Sequence, residues 1–420
     1  MSNTKSGKNS AYSWVVLIMI TLCYTSTFFS RFVWSPVMSE AAGDIGMTMS
    51  QAGGLMSAFY FGYLILQIPA GIVADRIRVK YPMFVCMLLV ALCTWLMSAD
   101  LVSSYTSAYI VRFMGGFFSG TIMACASRLL SNYFEAKVRG IAFGILLASP
   151  SLGTLLANQI GPRVLEAAGW RTTFQVCAYI ILVIAVLAVV LIREPKADPA
   201  AAAAAGEKSS LLAGLRNYFT NKQLIILSIA GFLFMAIPTG YSTWANQFMT
   251  GAAPAGGGLS SIQGGTIVTC YAVASVVGSM SSGFIGKRLN WNRKHLIIEI
   301  YIAMAVFLFL FGMQRSFTGL LITSILFGLV SCFSSSHITT WAVNIGGSKY
   351  AATTTATQNL LLQASNVIFP TVAGSIVDGA TVDGVVTSYM GVWYMYCAML
   401  VVAAVVMLFT SKKSAAESMQ

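Results

Sequence analysis

The chain has 420 residues, of which 57% are apolar and only 9% charged, with a mean hydropathy of +0.77 and a formal charge of +12. A soluble domain carries about 25% charged residues, so this composition excludes an ordinary globular fold and points to a chain buried in lipid. The basic excess would suit nucleic acid, but its placement, described below, argues otherwise.

Residues 1–11 are polar. A spanning helix needs about 20 mostly apolar residues, and stretches of that kind are predicted near 12–36, 51–74, 81–99, 104–127, 139–160 and 170–192. The first apolar stretch is too long for the core of a cleavable signal peptide, so it is expected to stay as an anchor. Span 1 carries Arg31 and span 4 carries Arg112, both inside apolar runs. The loop after span 2 reads Gly71-Ile-Val-Ala-Asp75-Arg76-Ile-Arg78-Val-Lys80.

A polar stretch follows at 194–221, with Glu194-Pro195-Lys196, an alanine run from Ala200 to Ala205 and Gly206-Glu207-Lys208-Ser209-Ser210. It is expected to be a cytoplasmic linker, mainly a flexible tether, with Leu211 to Phe219 as a candidate short interfacial helix. Six more spans are predicted near 222–249, 262–285, 295–313, 317–341, 351–377 and 385–410. The expected organisation is therefore an N-terminal half (1–193), a linker (194–221) and a C-terminal half (222–420). A weak internal repeat supports the division. Ser57-Ala-Phe-Tyr-Phe-Gly62…Gly71-Ile-Val-Ala-Asp75-Arg76 aligns with Thr269-Cys-Tyr-Ala-Val-Ala…Gly283-Phe-Ile-Gly-Lys287-Arg288 at an offset of 212 residues. Two parallel six-helix repeats are a known layout for membrane carriers.

With the N-terminus inside, 20 of the 25 Lys and Arg fall on the inner side and only Arg163, Arg171 and Arg315 on the outer side, Arg31 and Arg112 lying within spans. This is the positive-inside pattern. It places both termini in the cytoplasm and makes the basic charge topogenic, so no nucleic-acid partner is expected. All eight cysteines fall inside spans without metal or redox spacing, and they are read as small packing residues.

Four motifs, at the expected spans and in the expected order, resemble those of the major facilitator superfamily. Gly71-x-x-x-Asp75-Arg76-x-Arg78-x-Lys80 is similar to its loop 2–3 motif, with a shifted basic pattern. Arg112-x-x-x-Gly116-x-x-x-Gly120 resembles its span 4 motif. Glu135-Ala-Lys137-Val-Arg139-Gly140 resembles the loop 4–5 pattern, and Gly169-Trp170-Arg171-x-x-Phe174 the start of span 6. The resemblance implies an all-α integral membrane protein of twelve transmembrane helices in two pseudo-symmetric halves. Ser30-Arg31, Gln67-Ile-Pro69 and Arg112-Phe further resemble the organic-anion branch, the anion:cation symporters. That branch often has acids where this chain has Ser30 and Ser119, which puts proton symport in doubt. In the loop motif, Asp75 sits where a helix N-terminus would favour a carboxylate. Gly71, Asp75, Arg76, Arg78, Glu135 and Arg139 are read together as a conformational latch.

A charged residue deep in the membrane is by default a functional-site candidate. Arg31 and Arg112 both lie several residues inside the outer ends of oppositely directed spans, at similar depth at 1.5 Å per residue. No Asp or Glu lies mid-span beside them, so they invite an anion, most simply a carboxylate taken bidentately. For Arg112 a structural role toward span 1 is the alternative. The C-terminal half offers neutral polar candidates: Tyr241, Trp244 and Asn246 in span 7, His337 in span 10, and Asn359 and Gln363 in span 11. The expected function is transport of a small organic anion, a monocarboxylate or sugar acid, by alternating access. The rivals are a drug exporter and a non-transporting sensor of the same fold. No enzyme activity, cofactor or metal is expected. A monomer in a bacterial inner membrane, coupled to protons, to a counter-substrate or to neither, completes the expectation.

Overall fold

The computed structural model describes residues 11–74, 78–194, 211–288, 293–347 and 350–410. Sixteen helices and one small hairpin occur among them. In lipid every backbone polar group must be satisfied within the protein, and a helix does this within its own segment.

Ten stretches are long and apolar enough to cross a membrane. One of them, Lys137–Leu191, is 55 residues long and turns at Gly169, whose φ of 79° is left-handed, so it makes two crossings. Lys80–Leu96, 17 residues, supplies one more. These are the twelve expected spans, and the protein is a multi-pass integral membrane protein.

Several spans are interrupted. α1 (Ala11–Phe32) passes into α2 (Trp34–Ile45). Pro36 has no N–H, so the carbonyl of Phe32 has no helical partner, and a break just upstream follows. The helical path thus runs to Ile45 and not to residue 36 as expected. α3 (Met49–Ala74) and α4 (Lys80–Leu96) are continuous. Span 4 is α5 (Tyr105–Ser119) and α6 (Ile122–Tyr133). Span 5 begins as α7 (Ala136–Leu146), and α8 (Ser149–Leu191) carries the rest and span 6.

After the linker come α9 (Leu211–Thr220), α10 (Lys222–Thr250), α11 (Ser261–Arg288) and α12 (Arg293–Met313). Span 10 divides into α13 (Phe317–Ser331) and α14 (Phe333–Gly346). α15 (Ala351–Gly379) and α16 (Met390–Leu408) complete the chain. The breaks in spans 4 and 10 fall at Gly120 and Cys332, 212 residues apart, the same offset as the sequence repeat. Between α15 and α16 the strands Thr381–Val382 and Val385–Val386 pair antiparallel. Asp383 and Gly384, both at positive φ, make the two-residue turn that suits a right-twisted hairpin.

The residues form two compact units: 1–47 with 58–206, and 48–57 with 207–420. α3 is therefore shared, its first part counting with the second unit. In the first unit α1 and α4 pack on α8, and α4 on α5. α5 meets α3 closely. A Cβ on Gly116 would lie 1.9 Å from the Phe59 carbonyl oxygen, and one on Gly120 2.6 Å from that of Tyr63. Only glycine permits such backbone contact, the usual device for helices that meet in lipid.

At one end of this unit Glu40 accepts from the Trp170 amide at 3.1 Å, while Asp44 accepts from the Trp170 indole and pairs with Arg171 at 3.2 Å. The Gly169-Trp170-Arg171 motif is thus tied to the end of α2. In the second unit α11 packs on α13, α12 on α16 and α10 on α15, around a core where Tyr241 touches the rings of Tyr271, Phe311 and Phe327.

Leu211–Thr220, expected mainly as tether, is a helix. Tyr218 is fully buried, and its hydroxyl bonds Ser228 and Gln358. Asn217 reaches the Gly346 carbonyl. Leu212 and Phe219 remain exposed, so the helix is amphipathic, docked on one side. Linker residues 195–210 lie outside the described residues.

Candidate functional site

The first unit brings Arg31 and Arg112 together. Arg112, on α5, donates through Nη1 to the carbonyl of Ser30 at 2.8 Å and through Nη2 to that of Arg31 at 2.9 Å. It is 2% exposed. These carbonyls lie in the last turn of α1, just before its break. Arg112 therefore braces the interrupted helix, and the alternative raised from sequence is the geometry found. A charged donor also makes the stronger kind of hydrogen bond.

Arg31 is 1% exposed, and its Nε and Nη2 have no hydrogen-bond partner. α2 carries the chain on to Ile45, fourteen residues beyond Arg31. Its guanidinium carbon lies 4.4 Å from the ring centre of Tyr60, 4.7 Å from Phe28, 4.8 Å from Tyr63 and 5.0 Å from Phe59. Phe59, Tyr60 and Tyr63 stand on α3, opposite the glycines of α5. Phe59 also takes Arg112 at 4.8 Å. Desolvated cation–π contacts contribute about 2 kcal/mol or more. They hold the cation in place without using its N–H groups.

The sequence reading named Phe59 and Tyr60 only as part of the repeat and did not single out Tyr63. The signal was their spacing, which puts all three within one turn of a helix. Ser30 and Ser119 are tied up locally. Ser30 shares a 2.6 Å hydrogen bond with Thr94, and Ser119 donates to the Gly116 carbonyl. Neither supplies a charge, and among the described residues no carboxylate pairs with either arginine.

The second-unit candidates divide by environment. Tyr241 donates to Ser324 at 2.6 Å within the aromatic core. Trp244 is fully buried with its indole N–H unpartnered. Asn246 is buried on the same helix. Gln363 and Asn366 bond each other at 2.6 Å, and Gln358 is occupied by Tyr218 and Ser228. Asn359 is half-buried on the same helix α15. His337 lies beside Phe333, with Arg293 and the backbone of Ser282 as neighbours.

The latch residues are partly visible. Asp75 and Arg76 lie outside the described residues. Gly71 is half-buried near the end of α3, and Arg78 and Glu135 are exposed. Arg139 donates to the carbonyls of Ser131 and Phe134, capping the end of α6. Glu194, not singled out from sequence as a cap, accepts from the amides of Val79 and Lys80 at 3.1 and 3.0 Å and so caps α4.

The family model of the Major Facilitator Superfamily matches residues 20–370. This chain belongs to that superfamily. It is a membrane transporter and not an enzyme. The hexuronate transporter of Bacillus subtilis (strain 168) is 22% identical over 86% of this chain and 87% of its own length. A probable galactarate/D-glucarate transporter, GudP, of the same organism is 23% identical, covering 71% of each. Among solved structures, the nucleoside transporter NupG superposes with a TM-score of 0.75 at 16% identity, covering 94% of this chain and 98% of that one. A bacterial homologue of the lysosomal transporter Spinster gives 0.71 at 17% identity over 98% of both chains. At these identities the superpositions speak for the fold alone.

The two arginines should separate in a stability assay. Arg112→Met leaves the carbonyls at the α1 break without their charged donor, a loss of about 1.5–3 kcal/mol, and should lower the unfolding temperature of the detergent-purified protein. Arg31→Met removes an unpaired buried charge and should leave that temperature unchanged or raise it. Equal losses in both variants would contradict the assignment of Arg112 as the brace.

Proposed function

We propose that this protein carries a small organic anion, a monocarboxylate or sugar acid, across a bacterial inner membrane by alternating access. The observation that carries the reading is the free guanidinium of Arg31. It is buried, caged by four rings, and has unspent donors in a fork that matches a carboxylate. Arg112 spends its terminal N–H groups on backbone, which leaves the Arg31 guanidinium for a substrate carboxylate. The relatives named for hexuronate and for galactarate/D-glucarate support a sugar-acid substrate. A drug exporter would favour an acid over an arginine at this place. Tyr241, Trp244, Asn246, His337, Asn359 and Gln363 are the proposed contacts for the rest of the substrate.

Uptake into proteoliposomes tests the anion site. Arg31→Lys keeps the charge and loses the planar fork. If the bidentate contact contributes about 1.5–3 kcal/mol, apparent affinity should fall about 10- to 150-fold. The amide of a transported acid should be a poor competitor. Wild-type affinity in the Arg31→Lys variant would sink the reading.

Both termini and the linker are proposed to be cytoplasmic, from the placement of Lys and Arg. A cysteine introduced within 195–210 should resist an impermeant maleimide in intact cells and react after permeabilisation. Equal labelling before and after would reverse the orientation.

For coupling, we favour exchange or facilitated movement with no titrating side chain, since Ser30 and Ser119 stand where related carriers often have acids. His337→Gln should then leave both substrate exchange and uptake on a pH gradient unchanged. A variant that still exchanges substrate but no longer concentrates it on the gradient would make His337 the coupling group.

A further inference from the structure

α12 opens with two cations, Arg293 and Lys294, and they are treated differently. Lys294 is buried and donates through Nζ to the carbonyls of Leu408 and Thr410, at 2.6 and 2.9 Å, so it holds the end of α16. Arg293 is half-buried, and its Nη1 is enclosed with no hydrogen-bond partner. His337 on α14 is its neighbour, also half-buried, and the imidazole Nε2 is likewise enclosed and unpartnered. α14 packs on both α11 and α12, so the two donors meet where three helices converge. The backbone of Ser282 on α11 borders the imidazole, and the ring of Phe333, one turn earlier on α14, lies 6.0 Å from it.

No acid balances this pair. The sequence has no Asp or Glu between Glu207 and Glu299, and Glu299 is exposed. Among the described residues no carboxylate lies within ion-pair distance of Arg293 or His337. Cations at the inner ends of spans are expected from topology alone. Topology accounts for their number, but not for an arginine N–H turned into the protein beside an imidazole, where an unmet donor is costly.

We propose that Arg293 and His337 form a binding site for a phosphate group, held within the second unit and separate from Arg31. A phosphate oxygen accepts a charge-assisted hydrogen bond from Arg293 Nη1, and guanidinium groups suit phosphate well. A neutral imidazole donates through Nε2 in one of its two tautomers, so the site needs no protonation of His337. Two donors carried on different helices suit the tetrahedral oxygens of a phosphate better than a flat carboxylate. On the proposed orientation the start of α12 meets the cytoplasmic leaflet, where basic pockets between spans take anionic headgroups. A free phosphate from the cytoplasm offers the same oxygens. The site does not depend on what the protein transports.

Binding is read from the unfolding temperature of the detergent-purified protein. Phosphatidylglycerol, inorganic phosphate and gluconate are titrated in separate arms, with phosphatidylcholine and sodium chloride as blanks. A rise with phosphatidylglycerol alone makes the ligand a lipid headgroup, and a rise with inorganic phosphate makes it a soluble phosphate. Either supports the site, provided that the midpoint concentration is about tenfold higher in Arg293→Gln, equivalent to about 1.4 kcal/mol. His337→Leu should shift the midpoint in the same direction. Lys222→Gln removes an exposed cation at the start of α10 and should bind as the wild type does.

His337→Leu carries the test alone should the Arg293→Gln protein fail to fold. No rise in either phosphate arm overturns the site. So does the same midpoint in wild type and in every folded site variant, or an equal loss in Lys222→Gln, which would reduce the effect to general surface charge. A rise with gluconate alone that Arg293→Gln abolishes also overturns it, and would place the pair on the path of the carboxylate.

Discussion

Two guanidinium groups sit side by side in the interior of a membrane-spanning unit, and much of the surrounding structure serves to satisfy them. A buried charge without a partner is expensive. The chain meets this requirement in two ways. Arg112 is given the carbonyls of Ser30 and Arg31, which lie where Pro36 interrupts the first span. Arg31 is given aromatic faces, which stabilise its charge and leave Nε and Nη2 free. The brace and the free cation are therefore one construction, because the residue that Arg112 holds by its backbone is Arg31 itself.

The glycines of span 4 belong to the same construction. Gly116 and Gly120 let α5 lie against the carbonyls of Phe59 and Tyr63, so the rings on α3 reach Arg31. The motif Arg112-x-x-x-Gly116-x-x-x-Gly120 reads physically as one donor and two contact points, at successive turns of one helix face. A larger residue at either glycine would move α3, and with it the aromatic cage.

A second economy recurs at helix starts. Glu194 caps α4, Asp378 caps α3, and Glu40 holds the amide of Trp170 after the turn at Gly169. In each case a carboxylate from elsewhere in the chain meets backbone amides that a helix start or turn leaves open. Acids are few here, 13 among 420 residues. Those that cap helix starts fix where one span meets another, at ends where water or headgroups share the charge.

Much of the architecture was legible in the sequence because its causes are local. Hydropathy over about 20 residues decides whether a segment enters lipid, so twelve spans and the two-fold repeat could be read directly. The glycine and arginine motifs could be recognised, and the isolation of Arg31 and Arg112 from any mid-span acid was evident from residue types alone.

What the arginines do was not legible. Whether Arg112 spends its donors on backbone depends on a carbonyl 81 residues away, and no local pattern carries that distance. The end of span 1 was misjudged because a helix can resume beyond a proline break. The helix at Leu211–Thr220 was undervalued because its stability comes from burying Tyr218 against Ser228 and Gln358, not from its own composition. The sequence by itself determined the class, the number of crossings and which charges were unusual, since each follows from transferring short segments into lipid. Only the tertiary structure decided which charges are spent and which are free, because hydrogen bonds between distant residues exist only once the helices are packed.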